Sequence, residues 1–286
     1  MRYESPDTLE AASKLLASAS GDARVLAGGT DLLVQMRSEV LTPALIVDIK
    51  RIGETRAIKE EAGGFRVGAA VTGAELKEHA KLKAAWPGIV EAANLIGSTQ
   101  VQGRATMGGN LCNGSPAADS VPALIAAAAV ATVVGPNGRR DIKVEDVMLA
   151  PRKLALTKGE IVASFLLPAR PAHASDAYLR FIPRTEMDIA VVGCGIALAL
   201  DNAGVCTAAR VSLGAVAARP LLVADAAKAL IGTKVDDAAL AKLEAAARAA
   251  CKPIDDKRGT IEFRIDVAGV LAKRTALIAL ERARKR

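Results

Sequence analysis

The chain has 286 residues and a net charge of +7, and 51% of its residues are hydrophobic although only 2% are aromatic. Two or three sub-domains fit that length, with cores built from Ala, Val, Leu and Ile. The longest apolar runs, 121–134 and 189–200, fall short of the roughly 20 residues a spanning helix needs, which excludes a membrane span, and the scarcity of stacking aromatics argues against a nucleic-acid partner.

In chain order, MRYESPDTLE holds no apolar signal-like run, so the expected compartment is cytoplasmic. Ser5–Pro6 reads as a helix start with proline in the first turn, and Asp7 with Glu10 offers an alternative capping box. Leu9, Ala12, Leu15 and Leu16 then make one apolar face. A strand over 23–27 runs into Gly28–Gly29–Thr30–Asp31 and a helix near 32–37, which Pro43 separates from a strand over 45–49. The middle of the chain opens with a strand at 65–67 and a loop at 68–72, followed by helices near 74–82 and 89–95. A glycine- and amide-rich stretch comes next, then a helix near 120–128 and a strand at 130–134 ended by the hairpin-type turn Gly135–Pro136–Asn137–Gly138. Strands return near 142–144 and 160–167, and Pro168–Ala169–Arg170–Pro171–Ala172 reads as a linker. Beyond it lie three successive strands (178–182, 191–200 and 206–215) and three helices (223–231, 238–250 and 264–284). The division expected is therefore 1–55, 56–170 and 175–286.

Cys112, Cys194, Cys206 and Cys251 never approach CxxC spacing and have only His79 and His173 for company, so they read as free thiols and not as metal ligands. No triad pattern or other catalytic acid, base or nucleophile stands out. Two glycine pairs carry the chemistry instead. Gly28–Gly29 lies between a strand and a helix, where successive N–H groups and a helix N-terminus suit an anion, although a tight turn without a ligand accounts for it equally. Gly108–Gly109–Asn110, with Asn113, Ser115 and Asp119 behind it, offers amides, side-chain hydrogen bonds and a carboxylate suited to ribose hydroxyls. Asn110 and Asp119 could equally serve as turn and cap residues. Two such loops in neighbouring segments point to a nucleotide diphosphate lying between two sub-domains. GxGxxG and Walker patterns are absent.

"VLAGGTDLL" (25–33) and "TMGGNLCNGSPAADSVPAL" (106–124), with "YLRFIPRTEMDIAVVGCGIAL" (178–198) and "EFRIDVAGVLAKR" (262–274), resemble the FAD-binding medium subunits of the molybdenum hydroxylases, the xanthine dehydrogenase and carbon monoxide dehydrogenase family. The resemblance implies an α+β fold. A two-part FAD-binding domain of the vanillyl-alcohol-oxidase-like type would be followed by a three-stranded antiparallel sheet with helices. It implies non-covalent FAD, its pyrophosphate held around Ala27, Gly28, Gly29, Thr30, Asp31 and Leu32. Thr106, Gly109, Asn110 and Asn113 would line the other side, with Ile96 and Gly97 counted among the binding residues. Asp119 would meet a ribose, Ile161 and Val162 would lie on an edge strand at the adenine end, and Arg180 would sit near the isoalloxazine with Asp188 close by. Strand periodicity alone makes Arg180 an exposed residue of a half-buried strand; beside the flavin, as the resemblance implies, its permanent positive charge is expected to raise the flavin potential.

The resemblance further implies partners: a large molybdenum-cofactor subunit and a small [2Fe–2S] subunit, assembled as a dimer of heterotrimers. Electrons would pass from the clusters to FAD and on to an external acceptor. The alternatives are a stand-alone FAD oxidase of the related fold, which holds flavin covalently in many cases, and a nucleotide-binding assembly module. Cys112 lies in the right neighbourhood for a covalent link but reads as a small buried residue.

Overall fold

The computed structural model describes all residues 1–286. Its first unit is a parallel three-stranded sheet, ordered Arg2–Glu4, Leu45–Asp48, Ala23–Leu26. The central strand is buried along its whole length, as parallel strands covered by crossover helices are. Helix Leu9–Ser18 begins after Thr8, whose hydroxyl accepts from the Ala11 amide at 3.2 Å. The start expected at Ser5–Pro6 and the Asp7–Glu10 capping box are both displaced by this threonine. Leu9, Ala12 and Leu16 pack onto Val47 and Ile49.

The second unit is a five-stranded antiparallel sheet, ordered Ile58–Glu61, Gly64–Gly68, Ile161–Leu167, Val130–Gly135, Gly138–Lys143. Two hairpins flank the strand Ile161–Leu167. One turns through Ala62 and Gly63, both at positive φ, and the other through Pro136–Asn137 with Gly138 at φ 99°. Ile161 and Val162 therefore belong to a central strand and not to the edge strand expected. Only their side beyond the end of the Gly64–Gly68 pairing is open, because that pairing covers Ser164–Leu167. Helices Gly73–Glu78, Ala80–Ala85, Pro87–Ala93 and Ser120–Ala126 bury their apolar faces against the core around Val67, Leu124 and Phe165. Thr72 and Glu75 form a reciprocal capping box. The single helix expected over 74–82 is broken at His79, whose Nδ1 caps the following helix by accepting from the Leu82 amide.

The third unit holds the antiparallel strands Ala174–Phe181, Val192–Leu200 and Cys206–Gly214, plus a two-residue fourth strand, Leu221–Leu222, absent from the three-stranded expectation. Helices Ala224–Leu230, Asp237–Ala250 and Ile261–Arg284 accompany it. The last helix buries Ala268, Ala272, Ala276, Ala279 and Ala283. That small-residue stripe lets the backbones approach closely, and a larger side chain there would cost about 1–3 kcal/mol. The Pro168–Ala172 segment is tied down. Arg170 lies 3.7 Å from the Trp86 ring centroid and pairs with Asp176 at 2.9 Å. Arg282 pairs with Glu91, joining the last helix to the second unit.

Candidate functional site

A cavity of about 510 Å³ lies between the first and second units. One wall is the turn from strand Ala23–Leu26 into helix Leu32–Arg37, and Ala27, Gly28, Gly29, Thr30, Asp31 and Leu32 all line it. The turn is forced by its glycines. Gly29 sits at φ +79°, and a β-carbon at Gly28 would overlap the Arg104 carbonyl oxygen. Backbone meets backbone there, so Gly28 sets how closely the two units approach. The amides of Gly28, Gly29, Thr30, Asp31 and Leu32 donate to no protein acceptor. Such a run of open N–H groups, ending in a helix N-terminus, has the donor set that suits an anion. Asp31 makes no capping hydrogen bond, and desolvation pushes its carboxyl upward.

The opposite wall differs from the expected loop. Residues Met107–Cys112 form a helix capped by Thr106, whose hydroxyl accepts from the Gly109 amide at 2.9 Å. Its two glycines have separate duties. A β-carbon at Gly108 would lie 2.5 Å from the Ala69 carbonyl oxygen, so Gly108 serves packing. A β-carbon at Gly109 would meet only the Thr106 hydroxyl, at 3.0 Å. Both glycines line the cavity. Asn110 accepts from the Ser120 amide and hydroxyl at 3.0 and 2.7 Å, which pins the turn behind it. Asn113 accepts from Gln35 Nε2 at 3.0 Å and so bridges the walls. Thr106, Gly109, Asn110, Asn113, Ile96, Ile161 and Val162 all line the cavity.

Gly97, Asp119 and Arg180 do not line it. Gly97 turns at φ +68° against Val101. Asp119 and Arg180 meet each other in an ion pair at 2.8 Å, their side chains only 9% and 5% exposed. The positive charge expected at Arg180 thus has a carboxylate counter-ion, and the side chain is not on the surface. Burial outweighs the Arg180 charge and the Tyr178 hydroxyl, and pushes the Asp119 carboxyl up to about 6. A carboxyl that titrates higher when folded contributes stability that is present below its unfolded value of 3.8 and lost as pH rises through about 6. The loss is of order 3 kcal/mol. Against Asp119→Asn in guanidinium unfolding from about pH 3.5 to about pH 7, the parent chain is expected to lose ground by that amount; parallel pH curves would contradict it.

Several cavity residues lie outside the expected binding set. Cys112, expected to be buried, is exposed and lines the cavity. Protein on its other sides desolvates the thiol and pushes it up to about 12, which disfavours a reactive thiolate. Arg152, held at φ 60°, lines the cavity without a carboxylate partner, whereas Arg24 is engaged by Asp22. Gln35 could have been suspected from its place one turn into the helix after the first glycine pair.

Residues 1–170 match the family described as FAD binding domain in molybdopterin dehydrogenase, and residues 177–279 match the CO dehydrogenase flavoprotein C-terminal domain. The chain belongs to the FAD-binding subunits of the molybdenum hydroxylases. Among its relatives in that family, the carbon monoxide dehydrogenase medium chain of Afipia carboxidovorans is 34% identical over 99% of this chain and 96% of that one. The xanthine dehydrogenase FAD-binding subunit of Escherichia coli O157:H7 is 30% identical over 95% of this chain and 93% of that one. A chain of the Cu,Mo-CO dehydrogenase in its cyanide-inactivated form superposes with a TM-score of 0.94 at 33% identity, covering 99% of this chain and 98% of that chain. The FAD-binding domain and C-terminal domain of this family are the architecture found here.

Proposed function

We infer that this chain is the FAD-carrying electron-transfer subunit of a molybdenum-dependent dehydrogenase. The observation that carries the reading is the run of open amides from Gly28 to Leu32 facing a cavity whose other wall presents Gly109 without a side chain. Those residues fit a dinucleotide diphosphate: five donors, an unpaired guanidinium at Arg152 and a close-approach glycine. When bound, FAD supplies the exchange of electrons singly or in pairs. The chain's own residues bind and orient it. Gly28 to Leu32 hold the diphosphate, Thr106 and Asn110 keep the facing helix in place, and the Gln35–Asn113 bridge ties the walls together.

Companion subunits follow from the relatives, several of which are named as medium chains or subunits of dehydrogenases. In this reading a large molybdenum-cofactor subunit and a small [2Fe–2S] subunit complete a heterotrimer that pairs into a dimer of heterotrimers. Four unbridged cysteines support a reducing, cytoplasmic setting. A division at 1–55, 56–170 and 175–286 follows the main hydrophobic cores, although Ala70, Val134, Ile161 and Ala163 join the core of the first stretch and Tyr178 joins that of the second.

Titrating the flavin-free chain with FAD is expected to quench flavin fluorescence to an end point of one FAD per chain. All of it should be released on denaturation. Flavin retained after denaturation would favour the covalent oxidase, and absence of binding would favour the empty assembly module. A tagged chain expressed with its companions is expected to copurify with molybdenum and iron.

A further inference from the structure

We propose that Tyr178 is a positioning residue of the flavin site: its hydroxyl and the Arg180 guanidinium divide the two oxygens of Asp119 between them, and so keep a neutral ion pair, not a lone cation, behind the Asn110 wall. The inference rests on the flavin reading above.

The Tyr178 hydroxyl donates to Asp119 Oδ1 at 2.9 Å, and Arg180 Nη1 donates to Asp119 Oδ2 at 2.8 Å. Tyr178 is 2% exposed, so the three groups have little water to share. Residues 178 and 180 fall on one face of strand Ala174–Phe181, as alternate strand residues do. Gly193, opposite Arg180 in the neighbouring strand, makes room for the arrangement. A β-carbon there would lie 2.5 Å from the Tyr178 hydroxyl. Asp119 arrives from the second unit, and its neighbour Ser120 donates to Asn110, which lines the cavity. The triad is therefore one residue behind the cavity wall.

Other groups facing the triad leave its charge to Asp119. Asp188 presents its backbone carbonyl to Arg180 at 3.4 Å while its carboxylate is engaged by Arg184. Cys194 pairs with Leu179 on the other face of the sheet, and Glu91, which accepts from the Tyr178 amide at 3.4 Å, is paired with Arg282. Asn110 and Ser120 carry no charge. With Asp119 ionised the triad is neutral, and with Asp119 protonated it carries one positive charge. A positive charge beside the site favours the electron-rich form of a bound flavin, so the potential is higher when Asp119 is protonated. The Tyr178 hydrogen bond favours the ionised carboxylate. Its loss should raise the pH at which Asp119 protonates by about one to two units.

The test is spectroelectrochemical titration of the full FAD-loaded chain from about pH 5 to about pH 9, with ¹³C NMR of Asp carboxyls in the flavin-free chain. The parent chain is expected to show an added downward step in potential as pH rises through about 6. Tyr178→Phe should move that step, and the carboxyl titration, upward by about one to two pH units. Asp119→Asn should abolish the step, and adding Tyr178→Phe to it should change the potential profile no further. A parent chain without the step, or a carboxyl titration unmoved by Tyr178→Phe, would overturn the proposal. A carboxyl that shifts while the potential does not follow would overturn the triad's place beside the flavin. Failure to bind FAD at all would defeat the flavin reading, and the carboxyl titration would still decide whether Tyr178 positions Asp119.

Discussion

Gly109→Val is expected to purify as a folded chain without flavin. A β-carbon at position 109 has only the Thr106 hydroxyl within 4 Å, at 3.0 Å, so the valine methyls enter the cavity. They would hold a diphosphate away from the amides of Gly28 to Leu32. Hydrogen bonds to a charged group contribute about 1.5–3 kcal/mol each. Losing two of them weakens binding by roughly 10²- to 10⁴-fold. The fold should survive, because valine tolerates a helix better than glycine does. Gly28→Val makes the informative contrast, since its side chain would strike the Arg104 backbone and press the two units apart. The ratio of flavin to protein absorbance and the thermal midpoint of each flavin-free variant separate the two effects. Full FAD occupancy in Gly109→Val would place the dinucleotide elsewhere.

Asp176→Ala is expected to destabilise the chain by about 3–5 kcal/mol, the range for breaking a buried ion pair from one side. Asp176 and Arg170 are 3% and 11% exposed at the side chain and meet at 2.9 Å. Asp176 also accepts from the Ile89 amide at 3.2 Å, which locks helix Pro87–Ala93 to strand Ala174–Phe181. Burial pushes the Asp176 carboxyl up and the Arg170 guanidinium down, which shows how little water either one has. Alanine leaves that guanidinium with the Trp86 ring and the Ala85 carbonyl as partners. Replacing both members, by Arg170→Met with Asp176→Leu, should recover much of the loss. Guanidinium unfolding midpoints of the single and double variants check both statements, and a single variant within 1 kcal/mol of the parent would show that the joint does not depend on this pair.

The long periodic elements were legible in the sequence. The alanine-rich helices Asp237–Ala250 and Ile261–Arg284, and the strands Val192–Leu200 and Cys206–Gly214, lie within a few residues of where apolar spacing puts them. Some elements of two to four residues, such as Arg2–Glu4, Gly53–Arg56 and Leu221–Leu222, escaped notice. They are too short for a period to form, and the two strands among them exist because distant strands supply their hydrogen bonds. The helix Met107–Cys112 was read as a loop because a glycine pair is the weakest helix former short of proline. What holds it is the Thr106 cap together with close contact between Gly108 and Ala69.

The sequence by itself determined that two glycine-bearing segments each offer backbone donors suited to an anion, because glycine's freedom and the helix N-terminus are local properties of the backbone. It also determined the kind of core, since only aliphatic residues were available to fill it. Tertiary structure alone decided at which glycine an added side chain would meet packed backbone and at which it would not. It made Ile161–Leu167 the central strand, and it gave Arg180 the carboxylate of Asp119 as a counter-ion across 61 residues of chain. Those outcomes depend on which distant segments meet, and a buried charge takes whatever partner the meeting provides. Local periodicity carries no record of that partner.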